Sequence, residues 1–353
     1  MPSRFLGGQG PHAIAGAMNK GPAKLRRQRP LWSDSGLAAY DEPDAMGDTL
    51  GYGLNLHGDA VGEFVGHDGH THGYVRSSAG AFAQINVHAY PSSAFWINDK
   101  GAIVGNYFAG GIQHAFVRTP GGRYLTFEPA DSQGAYGLHI NNKGAATGDY
   151  VDSNGLWHGF VRAKAGTLTV FDVPGAGTDP DQGTFAGATN LHGDTTGPYV
   201  DSDFILHGYV RHQSGGYDKF DVAGALDTIP YLINAKGWVV GFSDEESGAM
   251  HGFIRKPNGR IVVVDAPGAG TGPGQGTIVG DINSDGVAVG NYVDADGVSH
   301  GFLCTKTGEI IKEFDAPGAG AGGTVPYSIN RGGTISGYMR DETDAGHAII
   351  GAP

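Results

Sequence analysis

An indole, an imidazole, a carboxylate and a hydroxyl share one register of a repeated pattern. Trp96, His139, Asp281 and Ser328 each stand two residues before an asparagine of the repeat. Such a mixture can stack on a ring, exchange a proton and hydrogen-bond a ligand in one pocket. The other copies carry Gly53, Ala188 and Leu232 there, so this register varies where the rest of the pattern repeats. Two readings follow. The four residues could approach a common cavity, with His139 as general acid or base and Asp281 as its partner or as an orienting carboxylate. They could equally plug a central channel. Six residues before the asparagine stands Thr49, Ser92, Thr184, Thr228, Thr277 or Thr324, with Ala135 breaking the set. Tyr136, Thr277 and Thr324 join Trp96 and Ser328 as candidate ligand-binding residues.

Other residue types with chemistry recur too regularly to mark one site. The histidines His72, His114, His158, His207, His251, His300 and His347 occupy one position per copy. A metal needs several donors converging within about 2 to 2.5 Å, so one imidazole per copy reads better as a brace, hydrogen-bonded to a repeated acid. An arginine follows four residues later in five copies (Arg76, Arg118, Arg162, Arg211, Arg255), and pairing with an acid of a fourth strand is expected of it. In the last two copies that place holds Cys304 and Gly351. Turns beginning at Asp152, Asp201 and Asp294 cluster oxygen ligands that calcium could use, although the acid that would complete a calcium loop is absent, and Asp beside Gly is also an ordinary turn former. No other cofactor and no other metal is expected. Cys304, the one cysteine, excludes an internal disulfide and has no Cys-His-Asn set around it.

The elements that position these residues follow from the repeat. The anchors Asn55, Asn98, Asn141, Asn190, Asn234, Asn283 and Asn330 each have glycine three residues on, a tight-turn signal joining two strands. The aromatics Phe64, Tyr107, Tyr150, Tyr199, Phe242, Tyr292 and Tyr338 end a second strand, the histidines open a third, and Phe-Asp pairs such as Phe171-Asp172 end a fourth. Four short strands per copy of roughly 43 to 49 residues predict an all-β, seven-bladed β-propeller of four-stranded antiparallel blades. The seventh copy lacks a fourth strand, whereas Ala39-Tyr40-Asp41 matches Val170-Phe171-Asp172 and precedes the first copy. The N-terminal strand is therefore predicted to close the last blade, leaving no raw edge there. Residues 36–353 would form the propeller and residues 1–35, Gly-rich then basic, a flexible leader. Three connections between copies, Pro174 to Gly183, Pro267 to Gly276 and Pro317 to Gly323, are long and should share one face.

Composition fits this reading. The 63 glycines far exceed the usual share of about 7% without a Gly-X-Y period, as expected of many tight turns. A net charge of −13 argues against nucleic-acid or anionic-membrane partners and for neutral or cationic ones. No apolar run is long enough for a transmembrane helix, so no membrane insertion is expected, and Met1 to Pro30 lacks the apolar core of a secretory signal.

His114-Ala115-Phe116, following Ile97-Asn98-Asp99-Lys100-Gly101-Ala102-Ile103-Val104-Gly105, resembles the "probable extracellular repeat, HAF family", and the likeness spans nearly all of residues 48 to 351. Most copies have Gly for that family's Ala, as in His158-Gly159-Phe160. The resemblance implies a bacterial repeat protein with an extracellular or periplasmic address, and supplies no catalytic residues. Two functions stay open. One is a binding or scaffold propeller that takes a small-molecule or glycan ligand, neutral or cationic, on its loop-rich face. The other is a hydrolase or lyase at the central channel, using His139 and Asp281.

Overall fold

The computed structural model describes residues 36–353, and the predicted leader, residues 1–35, lies outside the described residues. Every regular element among them is a strand. The copy around Asn98 sets the pattern, with antiparallel strands Ser92–Ile97, Ile103–Ala109, Ile112–Arg118 and Tyr124–Phe127 in spatial order. The copy before it forms a second such sheet. The next four copies form two larger sheets, because one parallel bridge joins Trp157 to Gly183 and another joins Met250 to Gly276. Both glycines have φ near +120°, and a Cβ on them would stand 2.1 and 2.0 Å from the facing carbonyl oxygen. Only glycine permits that approach.

The last three strands, Thr324–Ile329, Ile335–Arg340 and Gly346–Gly351, are completed by the first, Leu37–Tyr40. Leu37 to Tyr40 pair antiparallel with Gly351 to Ala348. The chain thus closes on itself through hydrogen bonds. A second closure runs through the anchor turns. Each anchor's side-chain oxygen caps its own turn, as Asn98 Oδ1 does by accepting from the N–H groups of Lys100 and Ala102. In five copies its side-chain nitrogen reaches the next copy: Asn98 donates to Asn141 O, Asn141 to Asn190 O, Asn234 to Asn283 O, Asn283 to Asn330 O, and Asn330 back to Asn55 O, whereas Asn55 and Asn190 donate within their own turns to Asp59 and Asp194.

The core lies between consecutive sheets. Val61 of one copy packs with Ala94 and Phe116 of the next, and Val240 and Ile254 pack with Val279 and Phe302. One departure from ideal strands decides which residues meet the neighbouring copies. Six of the innermost strands carry a bulge, at Gly51/Leu54, Ala94/Trp96, Gly137/His139, Pro230/Leu232, Val279/Asp281 and Pro326/Ser328. Opposite each bulge sits a glycine of the second strand. At Gly148 a Cβ would fall 1.7 Å from Tyr136 O, and at Gly105 2.0 Å from Ser93 O. The missing side chain lets the bulged strand bend inward.

Candidate functional site

The bulge changes the facing of the variable register. Counting two back from each anchor, the side chains turn toward the neighbouring sheet. Trp96 packs beside Val104, Val117 and Ile140, and its ring lies 4.8 Å from that of His139. His139 Nδ1 accepts a 3.4 Å hydrogen bond from Thr189 N–H, and burial pushes its pKa down to about 3, so the ring is neutral. Asp281 accepts from Ile329 N–H at 2.9 Å, Ser328 Oγ–H at 3.2 Å and Ile282 N–H at 2.6 Å. Burial raises its pKa to about 6 against those donors. The structure thus brings Trp96 to His139 and Asp281 to Ser328, but no hydrogen bond, ion pair or ring contact joins the two pairs among the described residues. The four therefore meet as two pairs, each across neighbouring copies.

The residues three back from the anchors, on the bulge itself, meet across copies instead. Tyr52 stacks on Phe95 at 5.3 Å and meets Tyr327 edge-on at 5.4 Å. Tyr327, Tyr52 and Phe95 thus meet across three consecutive copies, the last copy joining the first. Tyr52 donates to Glu63 Oε1 at 2.9 Å. Burial raises the Glu63 pKa despite hydrogen bonds from Ser93 and Tyr52. Tyr136 lies 5.7 Å from the Trp157 ring, and burial and the nearby Asp149 raise its pKa.

The threonines six back from the anchors hold connections. Thr277 Oγ1 accepts from Ala266 N–H at 2.9 Å, and Thr324 Oγ1 from Ala316 N–H at 2.8 Å, both fully buried. Thr49, Ser92, Thr184 and Thr228 do the same for Glu42, Val87, Val173 and Val222. The copy with Ala135 is the one whose corresponding donor position is Pro129, which has no N–H. Hydroxyl and donor disappear together. Thr277 and Thr324 therefore latch the chain rather than facing a ligand.

All seven repeated histidines bond a fourth-strand side chain through Nδ1: His72 to Asn86, His114 to Glu128, His158 to Asp172, His207 to Asp221, His251 to Asp265, His300 to Asp315 and His347 to Asp41. In most copies Nε2 meets a second carboxylate from the turn before the third strand, such as Asp201 at 3.1 Å or Asp294 at 3.3 Å. Burial opposes protonation of His207, but Asp201 and Asp221 outweigh it and its pKa rises. The candidate calcium turns use their oxygens this way. Asp152 Oδ1 accepts from Asn154 and Leu156 N–H, while Oδ2 faces His158. No group of three or more metal-ligating side chains converges among the described residues. Cys304 is buried beside Val264, with its pKa raised by burial to about 12.

Two expectations need correction. The arginines do not generally pair with acids. Arg162, Arg211 and Arg255 lie 4.7 to 4.9 Å over the rings of Phe127, Phe171 and Phe220, the fourth strand of the preceding copy, and Arg76 lies over Tyr40. Arg255 alone of these also reaches an acid, Asp218. Where Cys304 replaces arginine, the preceding copy has Val264 in place of Phe. Phe242 and Tyr338 stand one residue out of register with the other second-strand aromatics, because Ser243 and Met339 are the partners of His251 and His347. The other aromatics face the histidines, as Tyr150 stacks on His158.

The histidines join the turns before third strands to the ends of fourth strands, so both lie at one edge of each sheet, the edge from which the long connections depart. Two of those connections share one internal prop. Gln182 Oε1 accepts from Asp179 N–H and its Nε2 donates to Ser202 O, while Gln275 does the same with Gly272 N–H and Ala295 O.

No protein-family model matches the chain, and no curated protein matches it in sequence. Solved structures do match in shape. A streptogramin B lyase is similar at 14% identity and TM-score 0.58 over 90% of this chain and 99% of that one. The β-propeller domain of the Trilobed protease from Pyrococcus furiosus, of open velcro topology, matches at 10% identity and TM-score 0.56 over 86% and 95%. A puromycin hydrolase matches at 13% identity and TM-score 0.57 over 88% of this chain and 54% of that one. The fold is a β-propeller.

Proposed function

We propose that the chain is a seven-bladed propeller, closed by its N-terminal strand, that binds a neutral or cationic small-molecule or glycan ligand on the face carrying the long connections. Support for seven blades comes from the seven His-to-fourth-strand bonds, one per copy, and from the return of Asn330 to Asn55. The observation carrying the binding reading is the order of that face: the connections are propped from within by Gln182 and Gln275, and the histidine bonds ring them with carboxylates. A pre-ordered surface loses little entropy on binding, and a carboxylate ring disfavours anions. The repeat style of the HAF family supports an exported, extracellular or periplasmic protein. Hydrolysis or lyase chemistry is the weaker reading, since His139 and Asp281 each hold a neighbouring copy's backbone N–H instead of facing one another.

The test is a thermal-shift screen of neutral oligosaccharides and organic cations on the full chain, followed by product analysis of every hit. Ligands that raise the melting temperature and are recovered intact support binding. A hit that is consumed, with loss of turnover in His139→Ala or Asp281→Asn, would overturn it in favour of catalysis.

A further inference from the structure

One cavity can be compared with the same place in another copy. On the fourth strand, the residue two before the histidine's Nδ1 partner is Lys219 in the copy around Asn190, where it pairs with Tyr209. Its ammonium lies 5.8 Å from the centre of the Tyr199 ring and donates to Pro174 O at 3.0 Å. No other copy carries a cation at this place; they have Gln84, Thr126, Val170, Val263, Glu313 and Ala39. In the copy around Asn98 the residue is Thr126, paired with Phe116 in the same register. The shorter side chain borders a cavity of about 200 Å³ walled by Tyr107, His114, Thr126, Phe127 and Glu128.

The walls suit an ammonium group. The Tyr107 ring is covered by Tyr90 at 6.2 Å and His114 at 4.9 Å, so its hydroxyl, which meets Thr126, is the part left to bind. Glu128 stands where the other copies have Asp or Asn, and is one methylene longer. Its Oε2 is bonded to His114 at 2.6 Å, and its Oε1 takes no hydrogen bond among the described residues. A carboxylate and two hydroxyls thus line a space with no lysine or arginine in its walls, and a primary ammonium brings three N–H donors with its charge. The surroundings favour a cation as well. Among the described residues, no lysine or arginine lies in any turn between second and third strands or in any connection between copies, whereas most of these segments carry Asp or Glu. Such a field concentrates cations at this edge of the sheets. Drug-sized sites run about 300–1,000 Å³, so the cavity takes a head group rather than a whole ligand.

Resting on the binding reading above, we infer that the cavity beside Thr126 is a site for a primary alkylammonium group, the group that Lys219 supplies from within the chain in the copy around Asn190. The experiment is a ligand-observed NMR titration of the full chain at neutral pH with n-butylammonium and with Nα-acetyl-lysine amide, n-butanol serving as the uncharged comparison. Saturable binding of at least one amine is expected, with n-butanol at least tenfold weaker. Thr126→Lys rebuilds the arrangement of Lys219, so it should weaken amine binding tenfold or more at a melting temperature no lower than the parent's. Glu128→Gln should weaken it threefold or more. Tighter binding of the lysine amide would support the lysine of a partner protein as the occupant, and tighter binding of butylammonium a free amine. Amine binding unchanged in Thr126→Lys would overturn the site and leave the broader binding reading intact, the cation then being held elsewhere. Absence of amine binding, equal binding of n-butanol, or a destabilised Thr126→Lys would likewise overturn the site alone, since the wider screen of oligosaccharides and organic cations tests the binding reading separately.

Discussion

Replacing Thr184 by valine keeps the shape of a fully buried side chain and removes one oxygen, the acceptor of Val173 N–H at 2.9 Å. Val173 is itself buried, so its N–H is left without a partner where water cannot reach it, a loss of about 1 to 3 kcal/mol. Unfolding entropy near 2.1 cal/mol/K per residue over residues 36–353 makes each kcal/mol worth about 1.5 °C, so the melting temperature should fall by roughly 1.5 to 4.5 °C. The reciprocal change, Ala135→Thr, places a hydroxyl opposite Pro129, which offers no N–H, at a position with no exposure. It should lower stability, by about 1 to 3 kcal/mol, through overpacking. Adding Pro129→Val supplies the donor, and the double variant should recover stability beyond the sum of its parts. Thermal unfolding of these variants checks the reasoning. Parent-like melting of Thr184→Val, or a stabilising Ala135→Thr, would refute it.

Stability should be greatest in mildly acidic solution. His72, His207, His251, His300 and His347 have raised pKa values, so their contribution is full below about 6.5 and is lost as pH rises through the folded values. The lowered pKa values of Asp68, Asp201, Asp294 and Asp341 act oppositely, with a contribution lost as pH falls below their ordinary 3.8. Asp281, raised to about 6, sides with the histidines. His139, lowered to about 3, opposes them, since its neutral burial costs stability as pH falls below about 6.5. Melting scans should therefore peak near about pH 6, and a higher melting temperature at pH 8 than at pH 6 would count against the histidine pairs. Arg211→Met removes a guanidinium 4.7 Å over Phe171 and should cost about 0.5 to 2 kcal/mol in chemical denaturation. Arg118→Met should cost less, because the preceding copy carries Ile85 in that place.

The strand order and the closing strand were legible because both rest on residue types that recur, the anchor Asn-x-x-Gly turns and the Tyr40-Asp41 match to Phe171-Asp172. The axial residues were not read, although a signal for them existed. A glycine recurs inside each second strand, as Gly105 and Gly148, where a strand gains nothing from it unless a bulge faces it. Strict alternation assigned the axis to Trp96, His139, Asp281 and Ser328. With the bulge, the residues one earlier, Tyr52, Phe95 and Tyr327, are the ones that meet across copies. The threonine latch was equally visible, since Pro129 and Ala135 flank the same connection, but only the structure showed which N–H each hydroxyl accepts.

These contacts also give a way to separate structural from functional variation in a repeat protein. Side chains here are answered by the neighbouring copy, so a departure required by packing has a counterpart one sheet away. Ala135 is answered by Pro129, and Cys304 by Val264. Asn106 Oδ1 accepts from Gly137 N–H, whereas Pro198, in the corresponding place, is followed by Pro230, which has no N–H to offer. His139 and Asp281, for all their chemistry, are answered too, by Thr189 and by Ser328 with Ile329. The departures at Ala89, Tyr90 and Phe108 are different. Ala89 has a φ of 63° where other copies have glycine, as at Gly175, and Tyr90 and Phe108 add exposed apolar surface. Costs to the fold that nothing in the fold offsets are where selection for a ligand should be sought.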